Sequence, residues 1–216
     1  MTEGRYVDKE RLVMLTDAII AIVMTILVLD LKVQAPEGAT DGDVLRQLHA
    51  QLPHFIGFVI SFAVMAFLWF PHHDLLRAIA RPTYGFAVLN FFFLGSIATL
   101  PFSTAFAAEY STHSVPVATL ALNMMVMNAF LSGLFRYAVG RQMADFGPLP
   151  TRVQRYKRAL GIAGTFVFMA AAGIAFYSPA ISLVLLALVP VLHLIPVPER
   201  QPRRQPEPEA IKLEDV

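Results

Sequence analysis

The chain has 216 residues, 56% hydrophobic and 15% charged, with a mean hydropathy of +0.58 and a formal net charge of +1. A soluble domain carries about 25% charged residues, so the apolar excess, gathered here into long blocks, excludes a disordered chain and argues against a soluble enzyme. Cys is absent, which removes a disulfide framework, thiolate metal sites and a cysteine nucleophile.

A hydrocarbon core about 30 Å thick takes roughly 20 apolar helical residues to cross. Long unbroken apolar runs point to helices, which satisfy their own backbone groups in lipid. Six such runs follow one another, so the expected fold is an all-α integral membrane protein with six transmembrane helices. They run from about Leu12 to Leu31, His54 to Phe70, Tyr84 to Ala107, Val115 to Val139, Leu160 to Phe176 and Ala180 to Leu194. The last two form a tight hairpin in which Pro179 breaks one helix and opens the next. The sixth is short and contains Pro190 and His193. Asp17 inside the first run, and the lack of a small-residue cleavage site after it, mark that run as a retained span rather than a signal peptide.

Charge sets the orientation. With the N-terminus in the cytoplasm, the inner segments carry Arg5, Lys9, Arg11, Arg77, Arg81, Arg136, Arg141, Arg152, Arg155, Lys157, Arg158, Arg200, Arg203, Arg204 and Lys212. Of the 17 Lys and Arg, only Lys32 and Arg46 then fall outside, as the positive-inside rule requires of an even number of spans with both termini cytoplasmic. Residues 1–195 are expected to form one six-helix unit. The Pro- and charge-rich residues 196–216 read as a disordered cytoplasmic tail.

Ionisable groups inside a span are functional candidates. Asp17 lies about two turns into the first run and must be neutralised, paired or hydrogen-bonded. Alternatively, the helix starts later and Asp17 caps it. Arg11, six residues earlier, lies roughly 120° around the helix from Asp17, so the two would reach different partners. The second run ends Trp69-Phe70-Pro71-His72-His73-Asp74, an indole donor and two imidazoles within one turn, or simply an interfacial aromatic with polar neighbours. Asn90 needs a partner across a helix interface. Ile22, Thr25, Ile26 and Leu29 share one helical face, a stripe that ordinary packing also explains. No metal-ligand spacing occurs: the paired His have no second ligand set. The extracellular linker carries Glu37, Asp41 and Asp43, which read as a solvated loop.

These stretches together resemble the bacterial homologues of the lysosomal potassium channel, whose first helix opens with RxxxFSD. Here the corresponding residues are Arg11-Leu12-Val13-Met14-Leu15-Thr16-Asp17, with Leu15 for Phe and Thr16 for Ser. Ser61-Phe62, Trp69-Phe70-Pro71-His72-His73, Asn90 and Leu100-Pro101-Phe102 follow in the family's order. The likeness is clear over roughly residues 5–110. It implies a homotetramer whose first helices line a central pore, with Ile22, Ile26 and Leu29 as the hydrophobic constriction and Thr25 facing the pathway. It also implies that Arg11, Thr16 and Asp17 tie that helix to its neighbours through Trp69, His72, His73 and Asn90. The expected activity is passive cation conduction with a modest preference for potassium over sodium, in the cell membrane. Potassium is the permeant ion; no cofactor, resident metal or nucleic acid is expected, and the partners are the bilayer and further copies of the chain.

Apolar rings of this kind gate by dewetting, and a cation that holds its water loosely crosses them at lower cost. The rival reading is a proton-coupled secondary transporter with Asp17 and His72 or His73 as a relay. Pro71 and Pro101 would permit the broken helices it uses, although no inverted repeat is visible. An intramembrane enzyme finds no support, because no nucleophile–base pairing stands out and no catalytic residue is expected.

Overall fold

A computed structural model describes residues 5–32, 37–145 and 151–193. Among the described residues the chain forms helices α1 (Lys9–Ile26), α2 (Asp41–Ala50), α3 (Leu52–Ala78), α4 (Tyr84–Ala98), α5 (Leu100–Glu109), α6 (Ser114–Gly140), α7 (Thr151–Ile174) and α8 (Pro179–His193). A 3-10 turn, Leu27–Asp30, extends α1. The stretches Lys9–Asp30, Leu52–Ala78, Tyr84–Glu109 and Ser114–Gly140 are each long and apolar enough to cross a membrane. The apolar parts of the last two helices, Gly161–Ile174 and Pro179–Pro190, are shorter. The expected tail, residues 196–216, lies outside the described residues.

Helix starts follow local chemistry. Asp8 caps α1 by accepting from the Arg11 amide at 3.0 Å. Thr83 caps α4 through the Phe86 amide. Prolines occupy the first turns of α3 and α5, where the missing N–H costs nothing. Because α1 begins at Lys9, Asp17 is a mid-helix residue, and the reading of it as a cap is overturned.

Two prolines behave differently. Pro71 lies inside α3, which runs through it unbroken. At Pro101 the expected third span instead becomes two helices that step at Thr99. Pro101 has no N–H to return to the turn before it. Thr99 Oγ1 and Asn123 Nδ2 both donate to the Ser96 carbonyl there, at 2.9 and 3.4 Å.

The expected extracellular loop also contains a helix. Thr40 and Asp43 form a capping box that starts α2. Hydrogen bonds from the Thr40 side chain and backbone, with the Arg46 guanidinium, hold the Asp43 carboxyl below its ordinary range.

Most of the core is one cluster, with a small second one of Val117, Ala118 and Ala175. Leu12, Ile20, Val23 and Leu27 of the first helix pack with Met65 and Leu75 of α3, Phe86, Phe93 and Ile97 of α4, and Leu120, Met124 and Met127 of α6. Lipid tails are as apolar as these side chains, so close packing and interhelical hydrogen bonds decide the arrangement. Asn128 of α6 donates to Gly161 O at 2.6 Å and to Thr165 Oγ1 at 2.7 Å of α7. Ser61 of α3 meets Thr104 of α5 at 2.7 Å, both buried. Ser182 of α8 donates to Ala171 O at 2.8 Å. At the end of the bundle where α1 begins, the Val7 amide donates to Pro82 O and the Tyr84 amide to Arg5 O, at 2.9 and 2.8 Å. This strap joins the segment before α1 to the α3–α4 loop.

Candidate functional site

α1 has two faces of opposite character. Leu12, Thr16, Ile20 and Val23, spaced four, four and three apart, are buried against the bundle. On the other side, Ile22 is 56% exposed, Ile26 41% and Leu29 64%, and Thr25 is exposed beside them. The chain's own helices therefore leave the whole stripe uncovered. Thr25 Oγ1 donates back to the Ile22 carbonyl at 2.7 Å, which satisfies its proton and leaves oxygen lone pairs available.

The buried face is held by polar contacts as well as packing. Asn90 of α4 sits between two partners: its Nδ2 donates to Thr16 Oγ1 at 2.9 Å, and its Oδ1 lies 2.8 Å from His72 Nε2 of α3. All three residues are buried. An N–H on His72 Nε2 completes the chain, so the neutral ring with its proton there suffices. Phe93, one turn from Asn90, stacks on the His72 ring with centroids 4.8 Å apart. A second branch starts one residue on, where Trp69 Nε1 donates to Asp17 Oδ1 at 3.0 Å and the indole stacks on His73 at 4.7 Å. The half-buried Asp17 carboxylate thus receives an interhelical donor, as a polar group in an apolar helix requires.

The structure thus gathers Thr16, Asp17, Trp69, His72, His73 and Asn90 into one assembly joining α1, α3 and α4. It does not gather Arg11. That side chain is exposed, and eleven residues on a helix return to within about 20°, so Arg11 lies on the face of Ile22 rather than that of Thr16. A direct Asp17–histidine hydrogen bond is absent among the described residues: Asp17 meets the indole and His72 meets the amide, on separate branches. Among the described residues, no group of three His, Asp or Glu is arranged to hold a metal.

Sequence reasoning missed another polar group at the far end of α1. His54 Nε2 lies 3.8 Å from Asp30 Oδ2 and 3.3 Å from Glu109 Oε2. Its signals were polar residues bounding three apolar runs, which acquire meaning only when the three ends meet.

The family described as endosomal/lysosomal potassium channel TMEM175 matches residues 11–101, the stretch that holds both the stripe and its anchors. A Streptomyces collinus protein named as a potassium channel is 32% identical over 198 residues, covering 86% of this chain and 93% of that one. A Chryseobacterium protein of the same description is 25% identical over 189 residues, covering 87% and 93%. The crystal structure of a lysosomal potassium-selective channel TMEM175 homolog from Chamaesiphon minutus shares the fold, with a TM-score of 0.75 over 86% of this chain and 95% of that one, at 22% identity. An uncovered apolar stripe on the first helix, braced from behind by threonine, asparagine and histidine, is thus found in a chain that belongs to the TMEM175 potassium channel family.

Proposed function

We propose that this chain is a passive cation channel that prefers potassium to sodium, assembled as a homotetramer around the first helix of each copy. Each subunit crosses the cell membrane six times with both termini in the cytoplasm. The observation that carries the reading is the exposure of Ile22, Thr25, Ile26 and Leu29 on a helix whose opposite face is fixed by Thr16, Asn90 and His72. Family membership and the potassium-channel description of the Streptomyces collinus relative support the ion.

Four copies of Ile22, Ile26 and Leu29 make apolar rings in which water is held poorly. A cation must shed part of its hydration to pass, and potassium sheds it more readily than sodium. Selectivity set by dehydration is modest. The Thr25 oxygens offset part of the cost where the pathway is narrowest. Thr16, Asp17, Trp69, His72, His73 and Asn90 serve the position of the helix rather than the ion.

Single-channel recording of the purified chain in a planar bilayer tests this. Unitary currents that reverse near the potassium potential under a potassium/sodium gradient are expected. Saturable flux coupled to a proton gradient, without unitary events, would sink the reading.

A further inference from the structure

We infer that the groove between the start of α1 and the end of α3 binds an anionic phospholipid of the cytoplasmic leaflet. Its phosphate sits on Lys9 and Arg77, and one acyl chain runs along Val13, Met14 and Leu76. The side of the membrane is that of the channel reading above. These residues, with Glu10 and His73, line a cavity of about 430 Å³.

The groove changes character along the helix axis. At its mouth Lys9 opens α1, and Arg77 lies in the last turn of α3. Lys9 Nζ donates to the Arg77 carbonyl at 3.1 Å, which sets the ammonium at the end of α3 and leaves its other N–H groups to offer. Arg77 is exposed, and no ion pair among the described residues engages it or Lys9. Deeper in, the walls are apolar. Met14 lies five residues beyond Lys9, about 7.5 Å along the axis, and is 70% exposed. Basic pockets between transmembrane helices at the cytoplasmic side take lipid head groups, and here an acyl chain finds a trough beneath the cations. A free phosphate has nothing to lay on Met14 and Leu76, and a peptide segment would bring backbone groups that those walls cannot satisfy.

The charges nearby leave the mouth cationic. Glu10 is the one carboxylate in the lining, so it offsets one of the two cations and a single positive charge remains. Asp8 accepts from the Arg11 amide, and Asp74, about 100° round α3 from His73, stays outside the lining. Arg11 lies on the face of Ile22. The chain contains one tryptophan, and it stands at the deep end of the groove. The Trp69 indole stacks on His73 with centroids 4.7 Å apart, eight residues and about 12 Å along α3 from Arg77. A lipid whose phosphate sits on Arg77 therefore carries the middle of its acyl chain past the indole.

The test reconstitutes the full chain in phosphatidylcholine vesicles and follows Trp69 fluorescence as lipid with brominated acyl chains, which quench a nearby indole, replaces part of the bilayer. Brominated phosphatidylglycerol is expected to quench at about fivefold lower mole fraction than brominated phosphatidylcholine, the increment of one net cation near a membrane surface. Lys9→Gln with Arg77→Gln should bring that ratio close to unity. Arg81→Gln with Arg136→Gln, which removes two exposed cations outside the groove, should leave it unchanged. Equal quenching by the two lipids in the wild type, as a groove closed by a neighbouring copy would give, overturns the assignment. So does a preference that survives Lys9→Gln with Arg77→Gln, or one lost equally in the control pair, the sign of a diffuse surface field. Added inorganic phosphate should not compete, and relief of quenching by it would assign the cations to a free anion instead. Should the groove double variant fail to assemble, Arg77→Gln alone must at least halve the preference, and an unchanged one overturns it. The readout needs no current: a folded chain that shows the lipid preference and passes no potassium would remove the channel reading and leave this site standing.

Discussion

Asn90 and Thr16 are 74 residues apart in sequence and 2.9 Å apart in space, joined by an amide-to-hydroxyl hydrogen bond in a fully buried setting. The other end of the same amide meets His72. One side chain therefore fixes the rotation of α1 against two other helices.

Asn90→Ala strands the Thr16 hydroxyl and the His72 ring at once. Each buried group left unpaired costs about 1–3 kcal/mol, so the detergent-solubilised assembly should melt several degrees lower. Asn90→Asp should be less damaging if His72 supplies the compensating proton. Thermal aggregation followed by fluorescence-detected size exclusion measures both.

Trp69→Phe retains a ring to stack on His73 but withdraws the indole hydrogen-bond donor to Asp17. Hydrogen bonds to charged groups are worth roughly 1.5–3 kcal/mol. The variant should lose stability on that scale, and Asp17→Asn in the Trp69→Phe background should recover part of it. Additive losses in this double-mutant cycle would argue against the contact.

On the proposed channel function, Ile22→Asn places a polar group in the apolar constriction and should wet it. Unitary potassium conductance is expected to rise roughly tenfold, the equivalent of about 1.4 kcal/mol removed from the barrier, with poorer discrimination against sodium. Thr25→Val should lower potassium conductance instead. Wild-type conductance in Ile22→Asn would place the constriction elsewhere.

α2 should respond to acid. The Asp43 carboxyl is held below its ordinary value of 3.8 chiefly by the Thr40 side chain. A depressed folded value means that its stabilisation is present above the unfolded value and lost as pH falls through the folded one. Amide exchange across residues 40–50 should accelerate below about pH 4 and should be fast at all pH values in Thr40→Ala.

Four long spans were legible because length and apolarity are themselves the physical requirement for crossing lipid. Thr16, Asp17, Trp69, His72 and Asn90 were legible because a polar side chain in an apolar run must find a partner. Arg11 was misread as a member of the same assembly: the motif gives its position in sequence, whereas helical rotation sets it on the other face. The step at Pro101 and the continuity at Pro71 were not legible either, since an identical local restriction is answered by different tertiary surroundings. The capping box of α2 was written plainly in Thr40 and Asp43, but a short polar segment between apolar runs invites the label of loop. The convergence of Asp30, His54 and Glu109 required three helix ends to be brought together.

The long separations also bear on biogenesis. During synthesis the first helix leaves the ribosome with Asp17 unmatched, and Trp69, its donor, is 52 residues away. An aspartate near the middle of a helix entering the translocon costs about 2.5–3.5 kcal/mol. Insertion of the nascent first helix must therefore draw on its aliphatic length alone, and its final rotation is set only after the second and third hydrophobic segments have entered the membrane beside it.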